Sequence, residues 1–264
     1  MEESKNMPYA LITGGSKGIG YAVANALAKY QYNLVLVARD IDDLIIAKNK
    51  VESRYPIHVE ILSYDLVNEK TADEIYKWCE EKNLKIQFLC NAAGIGGAQD
   101  YLSATLEKMR FMVQLNVEST MAITMQLLPL LKRNNPSYIL NVSSMAGFAP
   151  IPFKNLYSAT KSAIIFYSYS LRYQLLKEQI SVSCLCPGPV FTKPEIMEDT
   201  KEKLGWFGSI MAVKPEKVGE IAVKKTLDRK MIIVPGLLAS VMSFFLRVLP
   251  IRLLVYLYYK FGMK

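Results

Sequence analysis

Short apolar runs alternate along the chain with stretches of helical period, and this alternation restricts the fold more than any other feature. The runs fall at 9–13 (YALIT), 33–38 (NLVLVA), 57–62 (IHVEIL), 86–90 (IQFLC), 137–142 (SYILNV), 180–185 (ISVSCL) and 231–234 (MIIV). Nearly continuous apolar runs of this length suit strands covered by helices on both faces. Helical periodicity fills the intervals at about 18–30, 40–54, 69–82, 105–132, 157–177 and 215–229. Asp40 supplies a capping carboxylate, and Pro215 ahead of Glu216 suits a first helical turn. Strands alternating with helices form β-α-β units, so the chain is predicted to be α/β, with one doubly wound, seven-stranded parallel sheet.

Composition excludes several other classes. With 264 residues, 51% of them apolar and 21% charged, the chain can bury one full core and is not disordered. Four cysteines (Cys79, Cys90, Cys184, Cys186) lack zinc-ligand spacing, and the single histidine, His58, cannot supply a metal cluster or a Ser-His-Asp triad. No metal and no nucleic-acid partner is expected. The first residues, MEESK, are polar and contain no apolar leader run, so a cytoplasmic, thiol-reduced protein is expected. Cys184 and Cys186 fall two apart on a predicted strand and read as buried free thiols.

The first strand runs directly into Thr13-Gly14-Gly15-Ser16-Lys17-Gly18-Ile19-Gly20 and then into a helical pattern. A glycine-rich turn at that place lets backbone amides and a helix N-terminus approach a pyrophosphate. The second strand ends in Arg39, where a carboxylate would favour a ribose diol and a guanidinium favours a 2′-phosphate. Arg39 together with Lys17 therefore points to NADP(H). Farther along, Tyr157 and Lys161 stand one helical turn apart, Ser144 follows the fifth strand, and Asn116 lies within the helix 105–132. A tyrosine hydroxyl can donate a proton to a developing alkoxide, and the ammonium of Lys161 would lower the phenol pKa from its ordinary value of about 10. Ser144 could hydrogen-bond the carbonyl oxygen.

Taken together, TGGSKGIG at 13–20, Asp65, NAAG at 91–94, Asn116, NVSS at 141–144, Tyr157 with Lys161, and PGPVFT at 187–192 resemble the short-chain dehydrogenase/reductase family over roughly residues 7–235. The resemblance implies a Rossmann-type domain. It gives Tyr157 the role of general acid/base, Lys161 that of pKa tuner and ribose ligand, Ser144 that of substrate orienter, and Asn116 that of holder of a relay water. It also implies cofactor contacts from Gly14, Ser16, Lys17, Gly18, Ile19, Gly20 and Arg39, and from Asp65 at the adenine beside Leu66. Asn91, Ala92 and Gly94 would shape the cofactor wall. Pro187, Gly188, Val190 and Thr192 would lie at the carboxamide end. Ala92 departs from the more usual second asparagine of that element.

The segment 191–213 corresponds to a substrate lid in that family. Its Met197 and Trp206, with Met145 and Phe153 near the catalytic residues, are candidate substrate contacts and suggest an apolar substrate. Residues 1–235 would form the catalytic domain and 236–264 a tail. The net charge of +8 lies wholly in residues 201–264, which hold 12 basic and 4 acidic residues, with no acid after Asp228. The tail reads as two short apolar helices kinked near Pro250, with Arg247 and Arg252 interrupting any long span. Apolar bulk with a basic rim suits a helix lying in a lipid headgroup layer; an oligomer interface or a pocket cover would account for it as well. Such tails are similar to those of the bacterial, DltE-like branch. The resulting expectation is a reductase acting between NADP(H) and a small-molecule carbonyl/alcohol pair, 3-oxoacyl or steroid-like, assembled as a homodimer or homotetramer. A non-catalytic NADP(H)-binding membrane scaffold is the alternative, and the complete set of Asn116, Ser144, Tyr157 and Lys161 argues against it.

Overall fold

The computed structural model describes residues 7–96, 101, 104–190 and 213–261. Its first half runs β1 (Tyr9–Thr13), α1 (Gly18–Lys29), β2 (Asn33–Ala38), α2 (Ile41–Glu52), β3 (Val59–Ser63), α3 (Thr71–Glu81), β4 (Ile86–Asn91) and α4 (Leu106–Val113). A π-helical turn, Gln114–Glu118, joins α4 to α5 (Ser119–Arg133). Then follow β5 (Ser137–Val142), a 3₁₀ turn (Met145–Phe148), α6 (Asn155–Gln174), β6 (Ile180–Leu185), α7 (Pro215–Leu227), β7 (Ile232–Ile233), α8 (Leu237–Val248) and α9 (Ile251–Phe261).

All seven strands are parallel in the order β3-β2-β1-β4-β5-β6-β7, which is the doubly wound Rossmann-type sheet the alternation predicts. The strands alternate their side chains between two buried layers. Ala10, Ile12, Leu34, Leu36, Phe88 and Leu140 pack with α1, α2 and α7, whereas Leu11, Val35, Val37, Leu89, Ile139 and Val182 pack with α3 and α5. The chain reverses its winding between β1 and β4, so a crevice opens at their carboxyl ends.

Three predicted elements differ from the structure. The strand predicted at 57–62 begins at Val59, because His58 is tied instead through its backbone amide to Asn33 Oδ1 at 2.8 Å. The His58 ring stands between Glu52 and Glu60 at the surface, a structural role. The single helix predicted over 105–132 is interrupted by the π turn at Asn116. The last strand shortens to two residues at the sheet edge. The tail forms the two short helices expected, separated at Leu249 and Pro250, and among the described residues no helix is long and apolar enough to cross a membrane.

Candidate active site

The glycine turn is built by close approaches that only glycine permits. Gly14 takes φ +65°, and a Cβ there would stand 2.9 Å from the Ala93 backbone; one at Gly20 would stand 2.1 Å from the Gly14 carbonyl oxygen. Thr13 joins the two strand ends, its hydroxyl oxygen accepting from the amides of Ala92 (3.1 Å) and Ala93 (3.3 Å). Helix α1 then starts without a side-chain cap and without an acid in its first turn. The amides of Gly18, Ile19 and Gly20, beside Ser16, thus leave the positive helix end toward the crevice, an arrangement that fits a dinucleotide pyrophosphate.

Arg39 and Lys17 come together at the N-terminus of α2. Lys17 pairs with the Asp43 carboxylate, which raises the pKa of this exposed ammonium. The Asp43 amide in turn donates to the Asp40 capping carboxylate at 3.0 Å. The Arg39 guanidinium lies over the Phe111 ring, 5.8 Å from its centroid. Asp65 spends a carboxylate oxygen on its own turn, accepting from the Val67 amide at 3.2 Å. Leu66 beside it packs against the core and lines a cavity of about 90 Å³ below α3 and α5.

At the other end of the crevice Lys161 is buried, 6% exposed, and donates to the Val142 carbonyl at 3.0 Å. Burial brings its pKa down to about 8, the sulfurs of Cys184 and Cys186 acting weakly the other way. Tyr157 stands one turn before it on α6, its ring centroid 5.8 Å from the ammonium. The net shift on the Tyr157 phenol is upward, against the direction expected from a neighbouring ammonium. Burial raises Tyr157 above its usual value, and the opposing pull comes from its hydrogen bond with the Ser144 side chain. The ammonium is engaged on Val142, which leaves desolvation of the phenol to prevail. Ser144 also accepts from the Ala146 amide at 3.1 Å, capping the 3₁₀ turn.

The Asn116 side chain is bonded at both ends: its Oδ1 accepts from the Ile95 amide at 2.8 Å, and its Nδ2 donates to the Ile95 carbonyl at 2.9 Å and the Thr160 hydroxyl at 3.1 Å. It clamps the loop after β4 onto α6. Gly94 lies inside this clamp; a Cβ there would stand 2.9 Å from Asn116 Oδ1 and 3.4 Å from Lys161 Nζ. The Asn91 side chain turns inward, Nδ2 donating to Thr124 (3.0 Å) and Asn141 (2.9 Å), and it braces β4 against α5 and β5.

The structure therefore brings Ser144, Tyr157, Lys161, Asn116 and Gly94 to one end of the crevice and the glycine turn with Arg39 and Lys17 to the other. Pro187 and Gly188 follow β6 beside them; the Pro187 carbonyl accepts from the Met145 amide at 3.0 Å. Val190 packs at the edge of the core. Met145 is buried with Ile164, Cys184, Cys186 and Ala239. Phe153 is 44% exposed at φ +62°, two residues before α6. Thr192, Met197, Trp206 and nearly all of the segment 191–213 lie outside the described residues. The four cysteines are free and buried, with the Cys184 and Cys186 sulfurs 3.8 Å apart.

Sequence reasoning missed Gly96, Gly147, Ser143 and Phe111. A Cβ at Gly96 would stand 3.2 Å from the Tyr157 ring, and one at Gly147 would stand 2.8 Å from the Lys161 backbone. Ser143 donates to the Lys161 carbonyl at 2.7 Å. The glycines following NAAG and NVSS were visible signals of close approach; Phe111 had none, since its distance from Arg39 in sequence hides their contact.

Comparison with known proteins agrees with this geometry. The family model for short chain dehydrogenases matches residues 8–203. A very-long-chain 3-oxoacyl-CoA reductase of Mus musculus is 30% identical over 204 residues, 74% of this chain and 64% of the mouse protein, so the chain spans just under two thirds of that relative. A ketoacyl reductase of Nostoc is 29% identical over 81% of this chain and 73% of its own length. Among solved structures, L-sorbose reductase from Gluconobacter frateurii, complexed with NADPH and L-sorbose, superposes with a TM-score of 0.78 at 25% identity, covering 89% of this chain and 97% of that one. The matched family model, the parallel sheet and the Ser-Tyr-Lys cluster at its carboxyl edge lead to one conclusion: the chain is an oxidoreductase belonging to the short chain dehydrogenase family.

Proposed function

We propose that the protein reduces an apolar ketone, of 3-oxoacyl or steroid-like kind, to the alcohol, with Tyr157 as the proton donor. The observation that carries this reading is the convergence of Ser144, Tyr157 and Lys161 at one end of the crevice, the phenol hydrogen-bonded to Ser144 and one helical turn from the buried ammonium. A phenol held beside the carbonyl oxygen in this way can give its proton to the developing alkoxide. Ser144, already bonded to that phenol, orients the carbonyl oxygen beside it. Once Tyr157 has lost its proton, the Lys161 ammonium one turn away stabilises the phenolate and holds the nicotinamide ribose. Asn116 acts by positioning: it keeps the loop at Gly94 and Ile95 against α6, and a relay water would bind at its main chain.

NADPH is the cofactor in this reading, and when bound it supplies the hydride. Arg39 and Lys17 suit a 2′-phosphate, and the NADPH complex of the sorbose reductase supports the choice. Gly14, Ser16, Gly18, Ile19 and Gly20 would hold the pyrophosphate, Asp65 and Leu66 the adenine, and Ala92, Gly94, Pro187, Gly188, Val190 and Thr192 the nicotinamide end. Phe153, Met197 and Trp206 would meet the substrate. The names of the mouse and Nostoc relatives support a 3-oxoacyl substrate. We further propose a cytoplasmic homo-oligomer of the DltE-like branch, attached peripherally to a membrane through residues 237–264.

Tyr157→Phe tests the assignment. It should lower NADPH-dependent ketone reduction by on the order of 10²–10⁴-fold while cofactor fluorescence titration still shows binding. Normal turnover would sink it.

A further inference from the structure

Helix α8 is more apolar on the side it shows to solvent than on the side it buries. At 100° per residue, Leu237, Val241, Phe244 and Val248 fall on one face, with Phe245 at its flank; they are 86%, 48%, 56%, 62% and 52% exposed. The opposite face, Ala239 and Ser243 with Met242 and Leu246, packs on Met145, Cys184 and Cys186. Helix α9 continues the surface, burying only Leu254 fully and exposing Ile251, Val255 and Tyr259. Of the 25 large apolar side chains exposed among the described residues, 12 lie between 237 and 259. Contiguous exposure on this scale marks a contact surface.

Charge says which contact. Between α7, β7 and the polar flank of α8 lies a cavity of about 210 Å³ lined by Lys225, Ile232, Val234, Ser240, Ser243 and Arg247. Neither Lys225 nor Arg247 pairs with a carboxylate among the described residues. Arg247 donates Nε to the Ser243 carbonyl at 3.0 Å and lies over the Phe148 ring, 5.4 Å from its centroid. That fixes the stem and leaves the two Nη groups for a ligand. Arg252 and Lys260 add cations on the exposed side of α9. A second copy of this surface would bring like charges together, whereas an anionic bilayer complements them.

We propose that α8 and α9 seat the protein on an anionic phospholipid surface, with Lys225 and Arg247 binding a headgroup phosphate while Phe244, Phe245 and Val248 enter the acyl boundary. This deepens the membrane attachment proposed above by naming the ligand chemistry and its residues. It also links the surface to the catalytic end, because Ala239 on the buried face of α8 lies 3.9 Å from a Cβ built at Gly188. An apolar substrate would then reach Tyr157 from the lipid side.

The full chain is mixed with vesicles of phosphatidylglycerol and phosphatidylcholine (1:1), or of phosphatidylcholine alone, and floated on a density gradient. Binding to the mixed vesicles at least tenfold above the neutral ones is expected. Phe244→Ser with Phe245→Ser should abolish it, and Lys225→Gln with Arg247→Gln should reduce it to the neutral-vesicle level. NADPH fluorescence titration of each variant verifies its fold, and wild-type discrimination between the two vesicles requires no variant. Equal flotation on both vesicles, no flotation, or binding unchanged in the Lys225/Arg247 variant overturns the proposal. So does a dimer that the Phe244/Phe245 variant converts to monomer, which would give the surface to a second copy. Inorganic phosphate matching the vesicles as a competitor at equal phosphate concentration would reassign the cavity to a free anion. Since the readout is flotation, its failure leaves the Tyr157 test untouched.

Discussion

Burial governs the chemistry of individual side chains here. Tyr157 and Lys161 are both desolvated, and desolvation acts in opposite directions on an acid and on a base. The phenol is pushed up and keeps its proton; the ammonium is pulled down to about 8 and keeps it less firmly. Below pH 8 Lys161 is charged and can serve the ribose and the developing phenolate; above it the charge is lost while Tyr157 remains protonated. The value of kcat/KM for NADPH, which reports the free enzyme, should therefore fall as pH rises through about 8, by up to about tenfold per pH unit. Lys161→Arg should carry that limb beyond pH 10, because guanidinium does not titrate there. A flat wild-type profile from pH 7 to 10 would remove Lys161 from the reacting set. Asn116 shows the converse: a buried carboxamide bonded through both its oxygen and its nitrogen holds backbone in place.

Elements are placed by glycines and small residues where backbones must meet. Helices α1 and α7 pack so closely that a Cβ at Gly219 would stand 2.3 Å from the Ala22 carbonyl oxygen. Gly219→Val should therefore separate the two helices at a cost of about 1–3 kcal/mol. Thermal unfolding should register this as roughly 2–4 °C per kcal/mol. An unchanged Tm would mean the helices can part freely. Since α1 also carries the amides proposed to hold the pyrophosphate, cofactor affinity should weaken together with stability. The π turn at Gln114–Glu118 adds a second constraint, delivering Asn116 to Ile95 and Thr160 where a regular helix would carry it past.

Across the whole molecule, the cofactor crevice is made of pieces far apart in sequence: the turn after β1, the α2 terminus, the loop after β4 and the start of α6. A ligand that binds only the assembled crevice stabilises the entire fold, by about 2.7 kcal/mol at a hundred times its Kd. NADPH should raise the Tm of the chain by several degrees, and at equal concentration by more than NADH, if Arg39 and Lys17 meet a 2′-phosphate. Equal shifts would leave those two cations without that role. The positive tail belongs to this scale too, since its apolar face and its cations act only when α7, β7 and α8 stand together.

The succession of strands and helices, the glycine turn and the Tyr157-Lys161 pair were legible in the linear chain, because apolar period and i to i+4 spacing are local properties that survive any later packing. The two tail helices were legible for the same reason, Pro250 being unable to continue a helix. What no local pattern contains is the direction of a pKa shift, which depends on how much water the folded protein removes from around the group. Hidden in the same way were the inward turn of Asn91, the burial of Met145, the stacking of Arg39 on Phe111 and the cavity at Lys225. Each arises where residues far apart in sequence are brought within a few ångströms, and only the closed sheet with its two helical layers sets those distances.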